Sequence, residues 1–139
     1  MREIAGGVTS AKGFEAAGAE AAVKYKNRKD MALVFSTAPC KVAGTFTTNV
    51  VKAAPVLWDK QVVETSAFAQ AVVVNSGIAN ACTGKPGMDC CKAEAECAGK
   101  LLGILTLNSI LPFIWALVAT SSMCNDIAKK DSSPFERVD

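Results

Sequence analysis

The sequence contains no histidine, and that absence excludes more than any other feature of its composition. Without an imidazole there is no Ser-His-Asp or Cys-His activation of a nucleophile and no His-ligated zinc. Any catalysis would fall to a carboxylate, a lysine, a self-sufficient Ser, Thr or Cys, or backbone dipoles. Clustered positive charge is missing as well. The 15 Lys and Arg residues stand against 13 Asp and Glu, a net charge of +2, and no basic run is interleaved with aromatics, so nothing marks a nucleic-acid surface. No C-x-x-C pair occurs among Cys40, Cys82, Cys90, Cys91, Cys97 and Cys124, and Cys90 and Cys91 are adjacent. The N-terminal MREIAGGVTSAKGF has no apolar core of the kind a secretory signal needs. The thiols therefore read as reduced, small apolar residues of a cytoplasmic protein, not as a disulfide framework or a metal site.

What is present is enough for one domain: 139 residues, half of them apolar, a length that buries a real core. The stretch the chain is organised around is Ala71 to Gly87, AVVVNSGIANACTGKPG. Val72, Val73 and Val74 form a β-branched run too short for a helix and bounded by turn formers, which reads as a buried strand. Asn75, Ser76, Asn80 and Thr83 then offer amides and hydroxyls, while Gly77, Gly84 and Gly87 permit positive φ and close approach. The Ala-, Glu- and Lys-rich segment Met88 to Leu102 reads as a helix, with Asp89 in its first turn and Lys100 near its end, as the helix dipole favours. Ala93, Cys97, Leu101 and Leu102 keep helical spacing and are expected to face the core. A polar loop between a strand and a helix is a common ligand-binding position, so Asn75 to Gly84 is the candidate site. The alternative is a connection whose Asn side chains satisfy their own backbone.

Upstream, Gly6 to Gly18 reads as an extended arm, and the alanines of Glu15 to Val23 allow a short helix. Lys24 to Asp30 (KYKNRKD) is a charged connection. Met31 to Ser36 (MALVFS) predicts a strand, and Thr37 to Lys41, with Pro39, a turn. Val42 to Asn49 alternates as a second strand would. Lys52 to Leu57 (KAAPVL) reads as a further extended piece, its Pro55 placing it at an edge or strand start. Trp58 to Ser66 is amphipathic and suits a short helix.

Four stretches occur together and in order: GGVTSAKGF (Gly6 to Phe14), KDMALVFS (Lys29 to Ser36), AGTFTTNVVKAAPVLWDKQV (Ala43 to Val62) and VVVNSGIANACTG (Val72 to Gly84). As a set they closely resemble the N-terminal part of the bifunctional ornithine acetyltransferase and glutamate N-acetyltransferase family of arginine biosynthesis. The resemblance covers residues 1–103 and reaches toward Pro112. One departure lies in the central loop, where Ile78 stands at a position the family fills with a further Asn. The resemblance implies an α/β fold, a layered sandwich with sheets packed between helices, here incomplete at the C-terminus. It also implies a precursor that cuts itself in two, releasing a Thr as the new N-terminus of the second chain. That Thr, with its own amine as base, takes the acetyl group of N-acetylornithine and passes it to glutamate, and a Thr-Gly pair stabilises the oxyanion. No metal or organic cofactor is implied. The implied partners are these small-molecule substrates and a second chain carrying the nucleophile; composition adds no nucleic acid, and membrane contact belongs to an alternative reading.

Neither the Thr-Gly pair nor the family's Ala-Thr-Met cleavage motif appears where the family places it, and Ala119-Thr120 has the wrong surroundings. No residue of this sequence is therefore assigned a catalytic, cofactor-binding or metal-binding role. Residues 104–139 read as a divergent apolar tail, as a frameshift, a mispredicted gene end or a truncated product would give. Within it and its approach, residues 101–125 carry no charged side chain. That is long enough to span a bilayer, which takes about 20 apolar residues, but Asn108, Ser109 and Pro112 interrupt the run. Three readings follow: an incomplete member of the acetyltransferase family, a small membrane-anchored protein keeping part of its fold, and a non-catalytic assembly subunit. Sequencing across the end of the gene checks the frameshift. The expected outcome is the Thr-Gly and then the Ala-Thr-Met motif in another frame downstream, and their absence from every frame removes the idea.

Overall fold

The computed structural model describes residues 6–24, 26–66, 68–77, 81–104, 110–112 and 136–137. Among the described residues a short 3-10 turn at Val8–Ser10 leads into five strands and two helices. The strands are β1 (Phe14–Ala19), β2 (Met31–Cys40), β3 (Ala69–Asn75), β4 (Ile110–Pro112) and β5 (Glu136–Arg137). Helix α1 (Ala54–Thr65) lies between β2 and β3, and α2 (Gly84–Leu102) between β3 and β4. The strands form one sheet in the order β4-β3-β2-β1-β5. β1, β2 and β3 pair antiparallel in succession, β5 is antiparallel to β1, and β4 is parallel to β3, with α2 as the crossover. The fold is α/β, the expected class.

Side-chain alternation along β3 decides where the core lies. Ala69, Ala71, Val73 and Asn75 are buried while Gln70, Val72 and Val74 are half-buried, so the valine run is covered on one face, not on both as a fully buried strand would be. In register, Met31 lies opposite Asn75, Leu33 opposite Val73 and Phe35 opposite Ala71. Leu33, Ala71 and Val73 pack with Ala95 of α2, flanked by Phe35, Trp58, Ala98, Leu102 and Ile104. Both helices thus cover the same face of the sheet. A second cluster, Ala54 with Cys91 beside Trp58, Met88 and Cys90, joins α1 to α2.

Several local expectations are overturned, each because tertiary pairing outweighs local preference. Phe14–Ala19 is a strand, neither an arm nor the start of an Ala-rich helix: six consecutive residues find partners along β2, whereas a helix that short is marginal alone. β2 continues through the Pro39 turn as far as Cys40, with the register shifting between Phe35 and Cys40, an irregularity that accommodates a residue without an N–H. Residues 42–49 form no strand, because β3 takes the place beside β2. There the Asn49 N–H is bonded to Thr47 Oγ1 at 3.2 Å and the Val51 N–H to Asn49 Oδ1 at 3.2 Å. Pro55 opens α1, where its missing N–H has no intrahelical partner to lose. Helix α2 begins at Gly84, four residues before Met88, so Asp89 lies past the first turn. Gly103, at φ 67°, closes it, and the Ile104 N–H bonds Gly99 O at 2.8 Å. The buried stripe of α2 is Gly87, Cys91, Glu94, Ala95 and Gly99, whereas Leu101 is exposed and Ala93 and Cys97 only half-buried.

The connection before β2 is tied by two carboxylates, Glu20, which accepts the Asn27 N–H, and Asp30. Asp30 accepts the backbone N–H groups of Ala21 at 2.8 Å and Val23 at 2.7 Å, and its own carbonyl receives the Ser76 N–H at 2.9 Å. Most of the uncharged run 101–125 lies outside the described residues; its described parts are the end of α2, Gly103, Ile104 and β4. Among the described residues no helix is long and apolar enough to cross a membrane.

Close approach of the two helices depends on Gly87. A Cβ there would collide with Thr83 Oγ1 and stand 2.8 Å from Ala54 Cβ. Gly87→Ala is expected to lower stability by about 1–3 kcal/mol through overpacking, read as a shift of the urea midpoint.

Candidate functional site

The loop singled out by the sequence starts at the C-terminal end of β3 and ends at the N-terminus of α2, beyond the edge of the strand. Ser76 is anchored to Asp30 O. Gly77, at φ 119°, lies against Lys24, whose Cβ would be 3.0 Å from an added methyl, so a side chain is excluded twice over. Ile78, Ala79 and Asn80 lie outside the described residues. Cys82 is exposed with φ 60°, and Thr83 caps α2 without a side-chain hydrogen bond to it. The first turn of α2 lies against the first turn of α1 through Gly87 and Ala54, so the two helix N-termini sit side by side. Neither first turn holds an acidic residue. Lys85 forms an exposed i,i+4 pair with Asp89 at 3.0 Å, a contact of small energetic weight.

Asn75 departs from both readings the sequence allowed. Its side chain is wholly buried and does not satisfy its own backbone: Nδ2 donates to Glu94 Oε1 at 3.4 Å. Beneath the loop this builds a buried polar cluster at the junction of β3, α1 and α2. Asp59 is 8% exposed, Glu94 4% and Cys91 0%. Burial pushes the Asp59 carboxyl up to about 7. It pushes Glu94 up to about 7 as well, with the Asn75 hydrogen bond opposing the shift and the Asp59 charge adding to it. Burial, helped by Glu94, Asp59 and Cys90, raises the Cys91 thiol to about 12. Burial first, then Asp89 and Glu94, raises Cys90 too. Neither thiol is a thiolate near neutral pH, so neither is an activated nucleophile. The cluster can hold protons; it cannot attack a carbonyl.

Asp59 and Glu94 were not singled out in the sequence. Glu94 falls on the buried stripe of Cys91 and Ala95, a signal hidden when Ala93, Cys97, Leu101 and Leu102 are read as the core face of α2. Asp59 falls between the buried Pro55 and Val62 of α1, hidden when Lys52 to Leu57 is read as extended. Among the described residues no group of three His, Cys, Asp or Glu is placed to hold a metal ion.

Comparison with known proteins bears on the same residues. A family model described as the ArgJ family matches residues 15–114. The chloroplastic arginine biosynthesis bifunctional protein ArgJ of Zea mays is 46% identical over 111 residues, covering 79% of this chain and 24% of the maize protein. The ArgJ protein of Streptomyces coelicolor is 54% identical over 97 residues, covering 69% of this chain and 25% of its own. The chain thus spans about a quarter of the length of the curated relatives it matches. Among solved structures, ArgJ of Bacillus halodurans superposes with a TM-score of 0.78 at 32% identity, covering 89% of this chain and 66% of that one. The ornithine acetyltransferase of Mycobacterium tuberculosis, complexed with ornithine, gives a TM-score of 0.72 at 37% identity, covering 88% and 67%.

Asn75 is the link between the loop and the cluster. Asn75→Ala is expected to cost about 2–3 kcal/mol, from the void and from the loss of the donor to Glu94 Oε1, measured by urea unfolding near neutral pH.

Proposed function

The chain belongs to the ArgJ family, and from that premise we propose that it is the N-terminal portion of an enzyme that moves an acetyl group from N-acetylornithine to glutamate. The observation that carries the reading is the family match over residues 15–114. The ornithine named with the mycobacterial relative supports the substrate class. In this reading the nucleophile is a threonine freed at the N-terminus of a second chain. Its hydroxyl attacks the acetyl carbonyl, the amide bond to ornithine breaks, and ornithine leaves as the amine with the proton taken from the threonine. The glutamate amine then attacks the acetyl ester and regenerates the hydroxyl. A Thr-Gly pair binds the oxyanion at both steps.

The contribution of the present residues is a scaffold. Asn75 to Gly84, at the C-terminal end of β3 and beside two helix N-termini, lines the rim of the cleft in the complete enzyme, where ligands of open α/β sheets commonly bind. A hetero-oligomer with a nucleophile-bearing chain is the working form, and no metal or organic cofactor takes part. A cytoplasmic location belongs to the same reading, resting on thiols expected to stay reduced; the maize and rice relatives are named as chloroplastic.

These residues alone perform no acetyl transfer, because neither the threonine nor the Thr-Gly pair is found at family spacing in the sequence. Purified chain incubated with N-acetylornithine and glutamate is expected to release no ornithine above the uncatalysed level. Turnover by this chain alone overturns the assignment of the nucleophile to a second chain.

A further inference from the structure

An ionised carboxylate offers acceptors only, and the junction of α1, α2 and β3 is short of donors. Asp59 Oδ1, Glu94 Oε2 and Asn75 Oδ1 are buried without a hydrogen-bond partner among the described residues, while the Asn75 amide nitrogen donates to Glu94 Oε1. The groups facing the pair can be followed element by element. From α1 comes Asp59, with Trp58 and Ala54 alongside. From α2 come Glu94 and the Cys91 thiol, with Cys90 next to it. From β3 comes Asn75, and from β2 the apolar Met31, opposite Asn75 in register. β4 (Ile110–Pro112), which also contacts both helices, holds no titratable residue, and among the described residues no lysine or arginine acts on either carboxyl.

A proton is the smallest donor that satisfies such a site, and it requires no added volume. We propose that Asp59 and Glu94 are a proton-holding pair that makes the α1–α2 junction a pH-sensitive joint. When the pair is neutral, the dry interface holds no uncompensated charge, and α1 closes on α2. When both are ionised, two negative charges share a dry interface and the helices loosen. Because α1 holds the first turn of α2 through Ala54 and Gly87, loosening is transmitted to Thr83 and the first turn of α2.

The direction of the effect follows from where the protons are held. Unfolded, the two carboxyls ionise near their ordinary values of 3.8 and 4.5; folded, they keep their protons until about 7. Between those limits the folded chain binds more protons than the unfolded one, so stability falls as pH rises. The folding equilibrium constant drops by up to about tenfold per pH unit for each carboxyl so held. Below the ordinary values this loss is absent.

Urea unfolding of the full chain from about pH 5 to 8 tests the proposal. The expected result is a midpoint that falls with pH in the unaltered chain and a much flatter curve in the Asp59→Asn/Glu94→Gln double variant. Parallel curves overturn it. Infrared spectra of the unaltered chain give a second reading that needs no variant. A protonated-carboxyl band persisting at about pH 6 and lost by about pH 8.5 is expected, and a band already gone at about pH 6 overturns the proposal.

Discussion

The narrow seam between β3 and the two helices is the constraint on which the rest of this structure depends. Its floor is Ala71 and Val73, its roof is Ala95 of α2, and its flank is the contact of Gly87 with Ala54. Small residues let the helices approach closely, and dispersion between many atoms at contact distance holds them there. The same narrowness seals Asn75, Asp59 and Glu94 away from water, so the polar cluster is a direct consequence of how the apolar seam is packed.

That seam also explains the position of the loop. α2 crosses back over β3 to place β4 parallel to it, so the chain must leave the strand end, turn and start a helix within Ser76 to Thr83. Asp30 holds the near side of this turn through its carbonyl and organises the 21–23 connection with its carboxylate. Gly77 accepts the positive φ the turn demands. The described part of this turn is therefore built from backbone geometry and small residues.

The buried carboxyls set this junction apart from an ordinary helix–sheet core. Burying a carboxyl without a cation is unfavourable unless it is neutral, and here an amide and a second carboxyl stand where a lysine or arginine would otherwise be needed. The cluster trades some stability above neutral pH for a junction whose tightness depends on protons.

The sequence by itself determined the α/β class, the core strands around Met31 to Ser36 and Val72 to Val74, the helix ending at Lys100 to Leu102, and the family. Those features rest on local chemistry: β-branched runs, helix-forming residues, and four motifs in a fixed order. Only the tertiary structure decided that Phe14–Ala19 is a strand, that residues 42–49 are not, and that Pro55 opens a helix, because pairing depends on which segment occupies the place beside β2. It alone disclosed Asp59 and Glu94 as partners of Asn75. They are polar residues with no motif, and what makes them matter is burial, which arises when two helices and a strand distant in sequence close over the same few atoms.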